Sequence, residues 1–496
     1  MMKMKKAITI ILCALLCFAF AACGTGNETS NSEDAVAETS TASSKSFITK
    51  DDITINETLE ATADGEHVIE VDGESKSYSN TAVNKSGDAD GDEADFYGEN
   101  SAIFATNKGT LDLSDMVIST NGTHANAVFS YGEGTTVNIK DSVIETSGNC
   151  SGGLMTTGGG TMNAENLNIH TTGNSSAAIR SDRGGGTVNV TKGLYTTDGT
   201  GSPVIYSTAD ITVSDATLES TASEGIVIEG KNSATLNNVD LKADNNKKNS
   251  DKSDNYEAVM IYQSMSGDAA EGKSNFTMNG GTLTNANGDI FFVNNTVTEI
   301  NLSKASIVNN DENGVFLRAA AAGWGSEGSN GGQVTLNASE QEINGDIIVD
   351  EVSNTNLILK NGSTLNGAIN SSGQEGEVYV ELSSDSKWTL TADSYITSLT
   401  CDDGSIELNG HTLYVNGKAY DGKASTGEAI EQKITSSGQG GGEATPDGGQ
   451  GGQGGTPPDG GAGGTPPSGE PPEGAPSGNP PSGDGGEPPA KPENQS

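Results

Sequence analysis

The 496-residue chain is poor in the residues that build a compact globular core or a nucleic-acid surface. Aromatic residues make up only 5%, against 67 glycines, which excludes a bulky core and favours thin strands joined by tight turns. Arginine occurs only at Arg180, Arg183 and Arg318, and the formal net charge is −42. Such a surface repels nucleic acid and anionic lipid headgroups, so neither is expected as a partner. Cysteine numbers five, and Cys13 and Cys17 lie in the apolar N-terminal stretch. Cys150 and Cys401 are separated by most of the chain, which excludes a disulfide-stapled scaffold. Proline is absent between the ends apart from Pro203; the other prolines lie between Pro446 and Pro492. The histidines His67, His124, His170 and His411 are scattered and form no ligand pair at metal-binding spacing.

What is present is a repeat. Ile103, Val128, Leu154, Ile179, Val204, Ile226, Val259, Ile290 and Val315 each open a short apolar run, at steps of 25, 26, 25, 25, 22, 33, 31 and 25 residues. A period in the twenties marks a solenoid, in which one unit stacks on the next and a long array forms one body.

Each unit carries three strand signals. The first is the marker run, as in Ser101-Ala102-Ile103-Phe104-Ala105. The second alternates, as in Thr187-Val188-Asn189-Val190. The third follows at a fixed offset: five residues beyond Leu113, Ile139, Ala164, Val190, Val213, Leu236, Met278 and Leu302 lie Ile118, Ile144, Ile169, Tyr195, Leu218, Leu241, Leu283 and Ile307. A constant offset implies a fixed corner, and stacked copies place like residues over like. Three strands in a rung of about 25 residues predict an all-β parallel β-helix. The Leu/Asn pattern of leucine-rich repeats is missing, and a propeller blade needs a fourth strand.

The ends differ from this pattern. Lys3, Lys5 and Lys6 precede an apolar stretch from Ala7 to Ala22, so residues 1–22 read as a secretion signal, too short for a membrane span. The stretch closes Phe20-Ala21-Ala22-Cys23-Gly24, which resembles the lipobox of bacterial lipoproteins, although Leu is usual where Phe20 stands. The resemblance implies cleavage before Cys23 and its lipidation, with two acyl chains holding the protein on the outer face of the cytoplasmic membrane. Loss of the three leader lysines takes the charge from −42 to near −45. Residues 23–46 read as a flexible tether, 47–422 as the β-helix, and 423–496 as a disordered Gly/Pro-rich tail.

The central region, on repeats such as Ala178-Ile179-Arg180-Ser181-Asp182-Arg183-Gly184-Gly185-Gly186-Thr187-Val188-Asn189-Val190 and on the stretch from Trp388 to Gly417, resembles the right-handed parallel β-helix of the pectin-lyase-like superfamily. More narrowly it is similar to adhesin-like surface proteins of gut-type Gram-positive bacteria. The resemblance is specific for fold and weak for activity.

Two regions stand out as binding candidates. From marker to second strand takes seven to nine residues in the first six repeats, but 17 from Val259 to Phe276 and 19 from Val315 to Val334. These loops leave the same corner two rungs apart and are expected to wall a shallow cleft. They carry Tyr262, Asp268 and Glu271, and Arg318, Trp324 and Glu327; aromatic faces stack on sugar rings and carboxylates bind hydroxyls. The alternative is two neutral expansions with Trp324 folded down as a plug. A third insertion, Ala243 to Glu257, reads as disordered and leaves another corner. The second candidate is the column after the markers: Phe104, Phe129, Met155, Arg180, Ile205, Val227, Met260, Phe291 and Phe316. It reads either as a long exposed apolar stripe or as a face covered by residues 47–100. Arg180, Asp182 and Arg183 at its middle read as a grip for a hydroxyl-rich or acidic ligand, or as a structural ion pair.

Metal and catalytic motifs are sparse. Asp88, Asp90, Asp92 and Glu99 echo the first, third, fifth and twelfth positions of an EF-hand loop, so Ca²⁺ is the one cofactor the sequence suggests. The departure is Glu93 where that loop needs glycine. Gly148-Asn149-Cys150-Ser151-Gly152 has the form of a nucleophile elbow, but falls in a turn between strands with no histidine near it in sequence. The expected function is non-catalytic attachment to glycans or to a host or neighbouring cell surface. The other readings are a polysaccharide lyase or hydrolase, and a passive stalk.

Overall fold

The structure is a computed structural model that describes residues 46–433 except Met265, all within one compact unit. The leader, most of the tether, the candidate lipidation site Cys23 and residues 434–496 lie outside the described residues.

The chain is a parallel β-helix. Its first column of strands forms an 11-stranded parallel sheet, from Ile69–Asp72 to Ile347–Val349. The second and third columns join in one 20-stranded sheet bent along a corner. In three rungs both columns belong to one continuous strand, Thr136–Thr146, Gly160–Thr171 and Gly186–Thr197. The offset of five is borne out: Ile118, Ile144, Ile169, Tyr195, Leu218, Leu241, Leu283 and Ile307 pair in register from rung to rung. The corner explains the constancy. Most of these turns place a residue with a side chain in the left-handed region, among them Asp115, Asp141, Asn166, Asp215 and Asn238, with φ between 48° and 55°. Asn and Asp tolerate that region best among residues with a side chain, and Asn166 and Asn238 each donate to the aspartate one rung back, at 2.8 and 2.7 Å. Tyr195, the one aromatic of this ladder, is fully buried and donates its hydroxyl to Lys192 O at 3.1 Å.

A second corner is built from glycine and serine. Gly122, Gly148, Gly173 and Gly199 stack directly, and three residues on, Ser151, Ser176 and Ser202 each donate to the carbonyl of the glycine one rung back, at 2.8, 3.1 and 2.9 Å. The same serines accept from the backbone N–H of the preceding rung. The Cys150 motif is one copy of this corner.

In the first sheet the register corrects three of the nine markers. Ile205 stacks on Ile179, Phe291 on Val259, and Leu317 on Phe291, in place of Val204, Ile290 and Val315. From Glu342 onward a four-stranded and then a three-stranded sheet accompany the stack; Trp388, in the first of them, is fully buried and donates Nε1–H to Gly367 O at 2.9 Å. An antiparallel hairpin, Leu413–Val415 with Lys418–Ala419, caps the three-stranded sheet through an Asn416-Gly417 turn. Residues 423–433, assigned from sequence to the tail, run back over the bent sheet: Ser425 pairs with Cys401, and Ile430 and Lys433 donate backbone N–H groups to Asn356 and Gln333. Cys150 and Cys401 are both free thiols.

Candidate functional site

The outward face of the first sheet carries the largest departure from a bare solenoid. In the corrected register its column reads Phe104, Phe129, Met155, Arg180, Tyr206, Val227, Met260, Phe292 and Arg318. The expected exposed stripe is not found: Phe129, Met155 and Phe292 are fully buried, and Phe104 is 9% exposed. The column faces away from the core and is covered by inserted segments.

Residues 88–101, including the short helix Asp92–Phe96, cover one end. Phe96 is buried, and its carbonyl accepts from Thr157 Oγ1 at 2.7 Å. Gly98 lies so close that a Cβ there would meet the Phe104 ring at 2.9 Å. His67 stacks on Phe104 with ring centroids 4.7 Å apart.

The long loops cover the other end. Tyr262, the last residue of the strand Glu257–Tyr262, and Trp324 meet edge to face at 5.2 Å, and Trp324 packs down onto the group formed by Val227, Met260 and Phe292. Asn330 fixes the Trp324 loop by donating to Ala322 O and Trp324 O at 2.6 and 2.9 Å. The insertion after Ala243, expected to be disordered and elsewhere, joins the same wall: Gly323 N–H donates to Lys252 O at 2.7 Å.

Between the covers sits a charged group. Arg180 Nη2 pairs with Asp182 Oδ2 at 2.8 Å, with Asp182 only 4% exposed. Burial raises the Asp182 carboxyl above the usual range, and Arg180 opposes that rise. Arg183 lies 3.6 Å over the Phe96 ring and pairs with Asp92 at 2.9 Å and Asp268 at 2.7 Å. It thereby ties the helix of one cover to the loop of the other. Arg318 is not a loop residue; it stands on the strand Leu317–Ala319 and pairs with buried Asp289 at 2.6 Å.

One small pocket opens in this face, about 110 Å³ in volume, lined by Tyr206, Glu224, Tyr256, Glu257, Tyr262 and Trp324 among others. A volume this far below that of ordinary ligand pockets admits the edge of one ring, not a length of polymer. Tyr206 and Tyr262 both donate hydroxyls to Glu229 Oε2, the latter at 3.2 Å. Burial raises the Glu229 carboxyl. Glu257 is 2% exposed, its Oε2 has no hydrogen-bond partner, and its pKa is raised well above the usual value, by burial first and then by Glu224 and Asp289. A raised carboxyl favours folding below the unfolded pKa of about 4.3 and loses that contribution as pH rises through the folded value. Glu257→Gln is therefore expected to raise the thermal midpoint at neutral pH and to leave it nearly unchanged near pH 4. Circular-dichroism melts at the two pH values check this; an equal shift at both would sink it.

The EF-hand-like carboxylates are not brought together among the described residues. Asp88 accepts from Thr123 N–H at 2.7 Å, Asp90 from Gly91 N–H at 2.9 Å, Asp92 is held by Arg183, and the Glu99 carboxylate lies beside Gly65. The group of metal-ligating side chains that does converge is Asp95, His124 and Cys150. Sequence reading placed no histidine near Cys150; rung stacking supplies His124, and the cover supplies Asp95. Aligning Gly122-Thr123-His124 with Gly148-Asn149-Cys150 on the glycine corner would have shown the first half of this. Asp95 has no such signal, since the covering segment lies outside the repeat. Asp95 first, then Cys150, push the His124 imidazole up to about 10.

Comparison with protein-family models, curated proteins and solved structures finds no match, so the chain's own architecture classifies it, as a parallel β-helix whose first sheet is roofed by its insertions.

Proposed function

We propose that this chain is a lipid-anchored surface protein of a bacterium, adhesin-like, that binds carbohydrate or another surface component without catalysis. The observation that carries the reading is the pocket in which Tyr206, Tyr256, Tyr262 and Trp324 surround Glu224 and Glu257. Aromatic faces take the apolar face of a pyranose and carboxylates take its hydroxyls, and a pocket of this size suits the edge of one terminal sugar. The net charge of −42 excludes nucleic acid and disfavours anionic membrane surfaces as the bound partner. The anchor belongs to the same reading: Cys23 carries lipid, the protein sits on the outer face of the cytoplasmic membrane, and the pectin-lyase-like likeness supplies scaffold only.

The test is a glycan array probed with the full chain and with Trp324→Ala. Loss of the indole is expected to weaken binding on the order of tenfold or more, since stacked aromatics are typical anchors. Binding that survives unchanged, or a wild-type chain that binds nothing on the array, defeats the proposal. A second reading, polysaccharide hydrolysis, is favoured by one observation: Glu257, whose raised pKa keeps it protonated above the ordinary carboxylate range, lies in the same pocket as Glu224. An acid held protonated beside a second carboxylate is what glycoside hydrolysis requires. Release of reducing ends from a polysaccharide panel, abolished by Glu257→Gln, would establish that reading over plain attachment.

A further inference from the structure

The glycine corner holds one residue per rung in the left-handed region between its glycine and its serine position: His124 and Cys150, both at φ 54°, then Ser175 at the same angle. These positions are locked in stacking, because His124 N–H donates to Asn149 O at 2.9 Å and Cys150 N–H to Asn174 O at 2.8 Å. Successive rungs are about 4.8 Å apart, so the imidazole and thiol project side by side from the corner. The helix Asp92–Phe96 then lays Asp95 against them. One ligand atom from each residue lies within 4.8 Å of the other two.

His124 shows what the cluster lacks. The residue is 6% exposed, and Nδ1 has no aligned hydrogen-bond partner. Asp95 Oδ1 lies 3.1 Å away, but off the direction a hydrogen bond needs. Two ligands bound at about 2.0–2.1 Å to one tetrahedral cation lie about 3.3 Å apart, so the contact has the length of a tetrahedral edge. Arg180, the nearest cation, spends its short contact on Asp182 at 2.8 Å and stands 3.8 Å from Asp95. Asp90 approaches only the other ring nitrogen, Nε2, at 3.9 Å.

We propose that Asp95, His124 and Cys150 form a site for a zinc-class divalent cation, bound through a carboxylate oxygen, Nδ1 and Sγ. Thiolate and imidazole select zinc-like ions over calcium or magnesium, which take oxygen ligands. The site joins two adjacent rungs to the helix that roofs Phe104, Phe129 and Met155. Its cation is a staple for that roof, independent of the aromatic pocket at the other end of the face.

The test uses the full untagged chain, reduced, stripped of metal and held at mildly alkaline pH, since a cation displaces the ring proton. Zn²⁺ is titrated against a chromophoric chelator, and Co²⁺ is added to read the thiolate-to-metal charge-transfer band. The expected result is one equivalent bound, with the cobalt band lost and affinity reduced at least about tenfold in Cys150→Ser, while Cys401→Ser behaves as wild type. His124→Gln is expected to match Cys150→Ser. Because His124 is buried and that variant risks misfolding, the half-buried Cys150 carries the decision. Zinc is also expected to slow hydrogen exchange across Asp92–Phe96 in the wild type and not in Cys150→Ser. No stoichiometric zinc in the wild type, or equal affinity in Cys150→Ser, overturns the proposal.

Discussion

Gly173→Ala is expected to be among the most damaging single-methyl additions at the described residues. A Cβ at Gly173 would sit 1.8 Å from Gly148 O and 2.6 Å from Gly148 C. Both are backbone atoms of the rung below, so the clash is relieved only by parting the two rungs. The position is not left-handed, so the effect is steric and not conformational. Parting them also breaks the Ser176 Oγ–Gly148 O bond at 3.1 Å and the Ser151 N–Ser176 Oγ bond at 2.9 Å. The clash recurs at Gly148 against Gly122 O at 1.9 Å and at Gly199 against Gly173 O at 1.8 Å, so no neighbouring rung offers slack. The expected cost exceeds about 4 kcal/mol, or the chain fails to accumulate as folded protein. The control is Gly362→Ala, where φ is 75° but nothing lies within 4 Å; its cost should be about 1–2 kcal/mol, that of a left-handed alanine. Denaturant melts of both, with hydrogen exchange to localise the loss because a solenoid need not unfold in two states, decide the matter. A Gly173→Ala chain as stable as Gly362→Ala would show that the rungs part freely and that the corner is not tightly stacked.

The second large effect is expected at Arg180→Met. Methionine keeps the aliphatic bulk beside Met155 and Tyr206, the register neighbours of Arg180, but strips the guanidinium from Asp182. The Asp182 carboxylate, 4% exposed, is then left with the Arg183 backbone N–H at 3.0 Å as its remaining hydrogen-bond donor. Breaking one side of a buried pair costs about 3–5 kcal/mol, much more than the pair contributes when intact. The sign of the pH dependence follows. Burial already raises the Asp182 pKa, and Arg180 is the strongest influence holding it down. Without Arg180 it rises further, so the deficit is largest at neutral pH and shrinks as acid protonates the group. Arg180→Met with Asp182→Asn is expected to recover most of the loss, since removing both charges leaves none buried alone. Unfolding free energies for the single and double variants at neutral pH and near pH 4 form the test; a deficit independent of pH would assign the loss to packing.

Much of the scaffold was legible because its rules are local and repeated. The third-strand ladder from Ile118 to Ile307 was legible to the residue, since left-handed residues, Asp, Asn or Lys at most corners and Gly280-Gly281 at one, fix the corner and a fixed corner fixes the offset. The first-strand ladder was misread at Val204, Ile290 and Val315 for a physical reason. Ile290-Phe291-Phe292-Val293 is apolar throughout, because both faces of the sheet are buried there, one by the core and one by the insertions, and Val204-Ile205 and Val315-Phe316-Leu317 set apolar residues side by side before the outward Tyr206 and Arg318. Where neighbouring residues are all apolar, alternation carries no register. The same coverage turned an apparently exposed stripe into a second, smaller core.

Sequence by itself determined the unit of this protein: hydrocarbon side chains recurring at one period, turned by residues that accept a left-handed backbone, can bury themselves only by stacking coil on coil. The tertiary structure alone decided what lies over the first sheet. Arg183 reaches Asp92, 91 positions away, and Asp268, 85 positions away, and Asp95 meets His124 and Cys150 from outside the repeat. Such meetings depend on the path of insertions that obey no period, and on rung spacing that brings residues one repeat apart into contact, so they exist only once the coils are wound.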